Sequence, residues 1–432
     1  MHIVALLESL PVLGGGEKYA LMLLGELSHA HRVTVFYTPR PGFAFADIPA
    51  RLGFDPGAIE YVPFAERWSL PRLTVGADLF LNFGYSLFRT RARRHVHVAF
   101  FPFPFSDSAP APVRIRLSWA WSRFQVRYHQ TLDRLDPELF NTSSPAYLRR
   151  HGVRGAWRSL PLLLLRKLGR RAACHRYNLG RRELRTYEAV IAISHYVAEW
   201  VRQRFGKPSL LLYPAVDTRA FRPGPKRRMI VSVGRFQPAP GSKKFEALIE
   251  TFRQLTADGR AAGWELVLCG GTDGSAGYDR YLGELRTLAA GLNVRFAVNV
   301  SFAEIADLYA RASVYWHAMG YGEDAEVHPE RYEHFGISTV EAMAAGCVPM
   351  VINGGGQPEI VTDGVSGYLW NDPDELAAQF HRFVELPEVE ADHFRAATQA
   401  RAEEFSLDAF RRNVAAVFAE LGVPLGRPAK AQ

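Results

Sequence analysis

The sequence has little cysteine and no long apolar run, and both absences restrict the class of protein. Its three cysteines, Cys174, Cys269 and Cys347, are odd in number and lack a C-x-x-C spacing, so a disulfide framework is not expected and a reducing compartment is favoured. The apolar run LPLLLL before Arg166 is far shorter than the ~20 residues that cross a bilayer. We therefore expect no transmembrane span.

The N-terminal sequence lacks the features of a secretory signal. MHIVALLESL starts with a strand pattern and has no charged n-region, long apolar core or small-residue cleavage site. We expect a cytoplasmic protein that is either free or peripheral on the cytoplasmic face of a membrane.

Positive charge is concentrated in one segment rather than spread along the chain. The net charge is +8, yet residues 113–185 alone contain 17 Arg or Lys against 4 Asp or Glu, interleaved with aromatic residues such as Trp119, Trp121 and Trp157. This mixture is typical of contact with an anionic membrane surface. A solvated arginine-rich surface remains the main alternative, and no nucleic-acid partner is expected because no nucleic-acid-binding motif accompanies the charge.

Length and strand–helix alternation predict two α/β domains. A chain of 432 residues exceeds what one core usually organises. HIVALL, LGGGEKYALMLLGELS and HRVTVFY form a βαβ start, and a second alternation of strands and helices begins at MIVSVGR. The predicted fold class is α/β, with two doubly wound Rossmann-like domains that face a cleft.

Composition changes divide the chain into four parts. We predict an N-terminal domain over 1–213 with a basic aromatic insertion at 106–187, a proline-rich linker over 214–228, a second domain over 229–400, and a C-terminal helix within 401–432 that returns to the first domain.

The segment ERYEHFGISTVEAMAAGCVP carries an anion site and a carboxylate pair. Its pattern predicts a helix from Ser338 to Ala345, with Gly346 as the left-handed residue after it. The N-terminus of such a helix stabilises a diphosphate through unpaired N–H groups and its dipole. Glu333 precedes the helix and Glu341 lies within it, although Ser338 and Glu341 also fit a simple capping box.

Two cations and one glycine-containing turn complete the candidate site. Arg235 follows the strand MIVSVG, and Lys243 precedes the next helix, as suits a diphosphate leaving group whose charge grows when its bond breaks. The alternative is that both are ordinary surface charges. Gly15 and Gly16 belong to the turn after the first strand, where the lack of a Cβ allows close approach to a ligand.

The spacing Glu333-x7-Glu341 resembles the E-x7-E motif of the retaining GT-B glycosyltransferases that use nucleotide-diphosphate sugars. EHFGISTVEAMAAGCVP especially resembles the endoplasmic-reticulum mannosyltransferases that extend lipid-linked oligosaccharides. The resemblance implies a GT-B fold and a retaining, metal-independent hexosyltransferase with no cofactor beyond the nucleotide-sugar co-substrate. It favours GDP-mannose as donor and a lipid-linked saccharide or other glycan as acceptor. A UDP-sugar enzyme with a soluble acceptor and a non-catalytic nucleotide-sugar-binding protein are the alternatives.

The same resemblance implies the roles of individual residues. Glu333 contacts the transferred sugar, Arg235 and Lys243 hold the phosphates, and Glu341 binds the ribose. Gly270 and Val300 are base-pocket walls in this interpretation, although each is equally an ordinary strand end. The implied donor-binding set is Gly15, Gly16, Gly234, Lys244, Gly270, Val300, Phe335, Gly336, Ile337, Ser338 and Glu341.

The first domain departs from the resembled family at one position. Many relatives have a histidine in a short H-F-P or H-Y-P string, where AFFPFPF places Phe100. His97 is close but faces a different way if the strand alternates, so we interpret it as a buried strand histidine.

Two acidic clusters resemble metal sites only superficially. Asp372 and Asp374 fit a turn and helix cap, and the His/Glu-rich run from His317 to His334 lacks ligand spacing. We therefore expect no metal.

Overall fold

The computed structural model describes residues 1–12, 14–39, 43–46, 48–49, 54–64, 70–85, 87–88, 90–103, 183–238, 241–272 and 274–425. Most of the basic segment 113–185, Cys174 and the last seven residues lie outside the described residues. The chain divides into two compact units. The first contains Met1–Gly84, Thr90–Pro102 and Glu188–Gln432, and the second contains Tyr85–Arg89 and Phe103–Tyr187.

The first unit contains two parallel sheets, of which one is formed by the N-terminal half. Its strand order is β3-β2-β1-β4-β5-β6-β7, and Ile3 in the central strand β1 lies opposite Val33 on one side and Leu79 on the other. β1 is buried from Ile3 to Leu6, as expected of a parallel strand covered on both faces. The strands are β1 (His2–Leu6), β2 (Arg32–Tyr37), β3 (Ile59–Pro63), β4 (Leu79–Asn82), β5 (Arg94–Ala99), β6 (Ala189–Ala192) and β7 (Leu210–Leu211).

The second sheet is also parallel and has the order β10-β9-β8-β11-β12-β13. One of its faces packs on a core in which Trp316 contacts Phe380 edge to face, with ring centroids 5.6 Å apart. The strands are β8 (Arg227–Val233), β9 (Glu265–Gly270), β10 (Val294–Val298), β11 (Ala312–His317), β12 (Val348–Ile352) and β13 (Tyr368–Trp370).

Helices follow most strands, and several begin at side-chain caps. Ser194 caps one helix by accepting the Val197 N–H, and Ser301 and Glu304 form a capping box at another. The described helices are α1 (Gly15–Ser28), α2 (Leu70–Leu73), α3 (His195–Phe205), α4 (Phe245–Ala257), α5 (Ala276–Leu288), α6 (Phe302–Arg311), α7 (Ile337–Ala344), α8 (Pro373–Val384), α9 (Glu388–Glu403) and α10 (Leu407–Glu420).

The last helix, α10, contacts the first helix, α1. Tyr19 and Phe410 meet edge to face with ring centroids 6.0 Å apart, and Arg411 forms a 2.9 Å ion pair with Glu26. Where the chain turns from α9 into α10, the Phe405 carbonyl accepts a hydrogen bond from the Val216 N–H. The C-terminal segment therefore lies against both the connection between the sheets and the N-terminal half.

Candidate active site

Two side chains from distant parts of the sequence, Lys243 and His317, converge on the carboxylate of Glu333. The Lys243 Nζ lies 2.5 Å from Glu333 Oε2, and the Nε2 of His317, the last residue of β11, lies 3.2 Å from the same oxygen. Burial alone would raise the pKa of Glu333, but the charge of Lys243 and the hydrogen bond from His317 hold that pKa well below its ordinary value. Glu333 is therefore a carboxylate at neutral pH.

The imidazole of His317 is neutral in this arrangement. Its residue is 1% exposed, and burial lowers its pKa in spite of the hydrogen bond to Glu333. A neutral imidazole that faces a carboxylate donates its Nε2–H, which leaves Nδ1 as the lone-pair nitrogen. This Nδ1 is buried and has no hydrogen-bond partner within the described residues.

Two glycines at strand ends allow Lys243 to reach Glu333. A Cβ on Gly234, just after β8, would lie 2.5 Å from Lys243 Cγ, so the lysine stem passes directly over this glycine. A Cβ on Gly270, at the end of β9, would lie 1.7 Å from the Gly234 carbonyl oxygen. Both positions require glycine because backbone or lysine stem already fills the space of a side chain.

A glycine turn after β12 supports the loop that carries Glu333. The Gly356 N–H donates a 2.7 Å hydrogen bond to the Glu333 carbonyl, and a Cβ on Gly355 would lie 2.3 Å from that same oxygen. A Cβ on Gly354 would lie 2.6 Å from the ring of Tyr332. The Gly354–Gly356 turn thus fixes the backbone that carries Glu333.

The helix after Glu333 does not begin with the Ser338–Glu341 capping box that the sequence allows. α7 begins at Ile337, one residue earlier than predicted, because Gly336 is its N-cap at a φ of 121° and no side chain caps it. The Ser338 hydroxyl instead lies 2.9 Å from the Tyr315 hydroxyl. A Ser338–Glu341 capping box is therefore absent from this helix. Gly346 has a φ of 76°, as predicted for the residue after the helix.

Glu341 contacts a residue of α1, the helix that follows β1, rather than the end of its own helix. Its Oε1 lies 3.1 Å from the Nζ of Lys18, which belongs to the first turn of α1. A Cβ on Gly15 would lie 3.3 Å from Ile337 Cδ1, so the N-terminal turns of α1 and α7 face each other closely. The predicted residues Gly15, Ile337 and Glu341 are thereby brought together.

Phe100 occupies the first-sheet side of this region. A Cβ on Gly16 would lie 3.5 Å from the tip of the Phe100 ring, and Phe100 contacts Tyr19 edge to face at 6.0 Å. His97 lies elsewhere on β5, where its Nδ1 is 3.1 Å from the Asn82 carbonyl oxygen. Burial lowers the pKa of His97 to about 4, so its ring is neutral.

Arg235 and Lys244 differ sharply in their partners. Arg235 is exposed and has no ion pair or side-chain hydrogen bond within the part of the chain that the structure describes. Lys244 has a φ of 55° and forms a 2.7 Å ion pair with Glu323, which also pairs with Arg331 at 2.7 Å. The ammonium of Lys244 is therefore committed to Glu323, whereas Arg235 is available to an anion.

Two further predicted donor-binding residues, Phe335 and Val300, differ in how deeply they are buried. Phe335 is 2% exposed and packs its ring against Tyr213 and Phe405, with centroids 5.6 and 5.4 Å away. Its side chain is a packing anchor, which leaves only its backbone for a ligand. Val300 is half-buried, two residues after the end of β10.

The two predicted acidic clusters do not form metal-ligand groups in the described residues. Asp372 caps α8 by accepting the Glu375 N–H, in line with the turn-and-cap interpretation. His328 pairs with Glu330 at 3.2 Å, and His334 stacks on Phe101 with centroids 4.5 Å apart. Among described residues no three His, Cys, Asp or Glu side chains are grouped to hold a metal. Metal independence remains a prediction.

Three contributors to this region had no role assigned from the sequence: Lys18, His317 as a partner of Glu333, and Glu359. Glu359 accepts hydrogen bonds from the His195 and Tyr196 N–H groups at 2.7 and 2.6 Å, which joins a second-sheet turn to the N-terminus of α3. Lys18 had one usable signal, since it follows the Gly14–Gly16 turn by two positions.

Comparison with solved structures identifies the fold. Anabaena HepE in complex with UDP and glucose superposes with a TM-score of 0.61 at 17% identity, covering 96% of this chain and 99% of that one. The two parallel-sheet α/β halves are those of the GT-B glycosyltransferases, which confirms the predicted fold class.

Comparison with protein families places the second half of the chain. Residues 217–401 match the family model described as "Glycosyl transferases group 1", and this part of the chain is a group 1 glycosyl transferase domain.

Curated relatives confirm the resemblance predicted from EHFGISTVEAMAAGCVP. The chain is 29% identical over 207 residues (44% of this chain, 38% of the relative) to a GDP-Man:Man(3)GlcNAc(2)-PP-Dol alpha-1,2-mannosyltransferase of Dictyostelium discoideum. It is 25% identical over 197 residues (45% of this chain, 46% of the relative) to the GDP-mannose:cellobiosyl-diphosphopolyprenol alpha-mannosyltransferase of Komagataeibacter xylinus. These matches span less than half the length of either relative.

Proposed function

We propose that this protein is a retaining glycosyltransferase that moves a hexose from a nucleotide-diphosphate sugar to a glycan acceptor. The favoured donor is GDP-mannose and the favoured acceptor is a saccharide linked to a lipid diphosphate. The group 1 domain over 217–401 supports the reaction class. The names of the relatives, which act with GDP-mannose and on dolichol or polyprenol diphosphates, support the choice of substrates.

The observation that carries this proposal is the Lys243–Glu333 ion pair, which His317 supports at the carboxyl end of β11. Ligands of open α/β folds bind at the carboxyl ends of the strands. Here that edge has an ionised carboxylate for a sugar hydroxyl and a lysine beside it for a phosphate. The N-terminus of α7 begins four residues after Glu333 and adds unpaired N–H groups and a positive dipole.

Bond cleavage develops negative charge on the departing diphosphate, and two cations are placed to stabilise it. The stem of Lys243 passes over Gly234, and Gly234 directly precedes Arg235, so both residues lie at the carboxyl end of β8. Interactions with charge that grows in the transition state lower the barrier more than they tighten substrate binding. In our proposal Arg235 and Lys243 act in this way, without a metal.

Retaining hydrolases use two carboxylates that flank the sugar. A transferase can retain the anomeric configuration without such a pair. In the proposed reaction the acceptor attacks from the face that the diphosphate leaves, and a phosphate oxygen takes the acceptor proton. Glu333 holds the transferred sugar through its hydroxyls. The glycosidic bond to phosphate breaks, the bond to the acceptor oxygen forms, and the proton leaves with the nucleoside diphosphate.

A lipid-linked acceptor places the reaction at a membrane surface. We propose that the protein acts on the cytoplasmic face of a membrane, which it contacts through the basic segment 113–185. The support is compositional, since each Lys or Arg near an anionic surface contributes about 1 kcal/mol. Among the described helices none is both long and apolar enough to cross a bilayer.

A panel of nucleotide sugars tests the donor assignment directly. A ligand that binds only the native state raises its stability by about 2.7 kcal/mol at a hundred times its Kd. We expect GDP-mannose and GDP to raise the melting temperature more than UDP-glucose, UDP or the free sugars, in the presence of EDTA. A larger shift with UDP-sugars would favour the UDP-dependent alternative. No shift with any nucleotide would contradict the proposal.

Turnover separates an enzyme from a nucleotide-sugar-binding protein. Slow donor hydrolysis without acceptor, lost in Glu333→Gln, is the expected result. Donor that binds but is neither hydrolysed nor transferred would favour the non-catalytic alternative.

A further inference from the structure

Lys18 and Glu341 form an ion pair that joins the two parallel sheets of the first unit. The two residues are 323 positions apart, and their side chains are only 11% and 13% exposed. Lys18 lies in the first turn of α1, after β1, and Glu341 lies in the second turn of α7, after β11. The Lys18 Nζ also lies 5.7 Å from the centre of the Phe302 ring, at the start of α6.

Stability alone is a weak reason for such a pair. Desolvation of two charges offsets much of their attraction, so an apolar pair of similar volume is often as stable. Lys18 also contacts only one of the two carboxylate oxygens of Glu341. Lys18 contacts Oε1, whereas Oε2 has no hydrogen bond within the part of the chain described here. One oxygen of Glu341 is therefore held in place while the other remains an acceptor.

Besides holding the Glu341 carboxylate in place, Lys18 offsets its negative charge. A nucleoside diphosphate at the N-terminus of α7 brings two negative phosphates close to a carboxylate on the same helix. Like charges at this distance repel, and the repulsion is larger because the site is largely removed from water. A lysine on Glu341 cancels the carboxylate charge, yet leaves its capacity to accept hydrogen bonds.

We propose that Lys18 is a positioning residue for donor recognition. It fixes the Glu341 carboxylate and neutralises its charge, so that the free oxygen accepts hydrogen bonds from the ribose hydroxyls of the donor nucleotide. This inference rests on the proposed function. It gives α1, in the N-terminal half, a part in recognising the donor nucleotide, whose other proposed contacts come mainly from the second-sheet half.

The test compares ribonucleotides with nucleotides that lack the ribose hydroxyls. Isothermal titration calorimetry of GDP and 2′,3′-dideoxy-GDP is performed on the full chain as wild type, Lys18→Met, Lys18→Arg, Glu341→Gln and the Lys18→Met/Glu341→Gln double variant. Arg412→Met, an exposed change on α10, is the control for loss of one positive charge. If UDP is the nucleotide that binds the wild type, UDP and 2′,3′-dideoxy-UDP replace the guanine pair.

Lys18→Met is expected to weaken binding of the ribonucleotide about tenfold or more, the effect of one charge-assisted hydrogen bond. It weakens binding of the dideoxynucleotide much less, because that ligand loses only the neutralisation of Glu341. Lys18→Arg retains most of the preference for ribose. The double variant binds no more weakly than Glu341→Gln, because Lys18 acts through Glu341. With a sugar donor, the same loss appears in KM rather than in kcat.

Several outcomes overturn the inference. Equal affinities of Lys18→Met and wild type for the ribonucleotide exclude a role for Lys18. Equal losses for the ribonucleotide and the dideoxynucleotide assign Lys18 to the phosphates or to general packing. If Lys18→Met does not fold, a Lys18→Arg variant that has lost the ribose preference also contradicts the inference. Failure of the wild type to bind any nucleotide contradicts the proposed function itself, which separates the two failures.

Discussion

The Lys243 ammonium and the Glu333 carboxylate, 90 residues apart in sequence, form a 2.5 Å ion pair whose shared oxygen also faces His317. Their contact depends on Gly234, over which the lysine stem passes, and on the Gly354–Gly356 turn beneath Glu333. The carboxylate is thus held by one charge and one neutral donor, and each can be removed separately by mutation.

Replacement of Lys243 by Met is expected to make activity sensitive to acid. Burial then acts on Glu333 without the compensating charge, so its pKa rises from well below its ordinary value toward the assay range. In the wild type the pair's contribution to stability is complete above the unfolded-state pKa of Glu333 and is lost as pH falls through the lowered folded pKa. The pH profile of kcat/KM between pH 5 and 8 is the measurement.

The expected profile of the Lys243→Met variant falls on the acidic side at a higher pH than that of the wild type. Lys243→Arg, which keeps the charge, serves as the control. An acidic limb at the same pH in all three proteins would show that Lys243 does not set the ionisation of Glu333.

Arg235→Ala is expected to lose transfer mainly in the chemical step. Arg235 is exposed and has no partner in the described part of the chain, so its removal leaves the fold intact. Loss of one donor aimed at developing charge costs about 2.7–4 kcal/mol in the transition state. Single-turnover rates for Arg235→Ala and for the surface control Arg412→Ala provide the measurement. Unchanged turnover in Arg235→Ala would remove this residue from the catalytic set.

Glu359→Gln is expected to loosen the connection between α3 and the second sheet. Its carboxylate accepts the His195 and Tyr196 N–H groups and, at 2.9 Å, the Tyr213 hydroxyl. Hydrogen bonds to a charged group each contribute about 1.5–3 kcal/mol, and a carboxylate at a helix N-terminus is further favoured by the dipole. Chemical denaturation should show a loss of that order.

The control for this experiment is Glu390→Gln, an exposed substitution on α9. A Glu359→Gln variant as stable as the Glu390→Gln variant would mean that the charge of Glu359 adds nothing net to these three hydrogen bonds.

The basic segment 113–185 is expected to bind anionic vesicles in a salt-dependent manner. Screening shortens the range of surface electrostatics to about 8 Å at physiological ionic strength, so high salt should release the protein. Vesicle flotation with neutral and anionic lipid compares the wild type with an Arg114/Arg116/Arg123/Arg127→Ser variant. Equal recovery of both proteins with both lipids would leave the segment as a solvated surface and favour a soluble acceptor.

Local sequence patterns were sufficient for most of the fold. The alternation of strands and helices predicted from MIVSVGR onward is the second sheet, because its strands are short apolar runs bounded by turn residues. β3 was missed because IEYVP is partly exposed and carries a charge, and β7 was missed because it has only two residues. β8 begins at Arg227, inside the stretch predicted as linker, because strand pairing extends into its charged start.

The site was predictable where it is local and unpredictable where it is tertiary. Glu333, Gly336 and Glu341 share one short segment, so their proximity follows from sequence. The Lys18–Glu341 pair depends on contact between α1 and α7, which follow strands of different sheets, and no local sequence pattern predicts that contact. Lys244 belongs to the predicted donor-binding set, and its ion pair with Glu323, 79 residues away, is a tertiary contact that no local pattern indicates.

Transfer of labelled mannose from GDP-mannose to a diphosphopolyprenol-linked saccharide, measured in EDTA with wild type and Glu333→Gln, tests the central claim most directly. We predict that the wild type forms an α-linked product from the α-configured donor, established by NMR of the new linkage. Glu333→Gln should be slower by about a hundredfold or more, the scale of a lost transition-state contact. A β-linked product, equal rates for the two proteins, or no transfer from any nucleotide sugar would contradict the account.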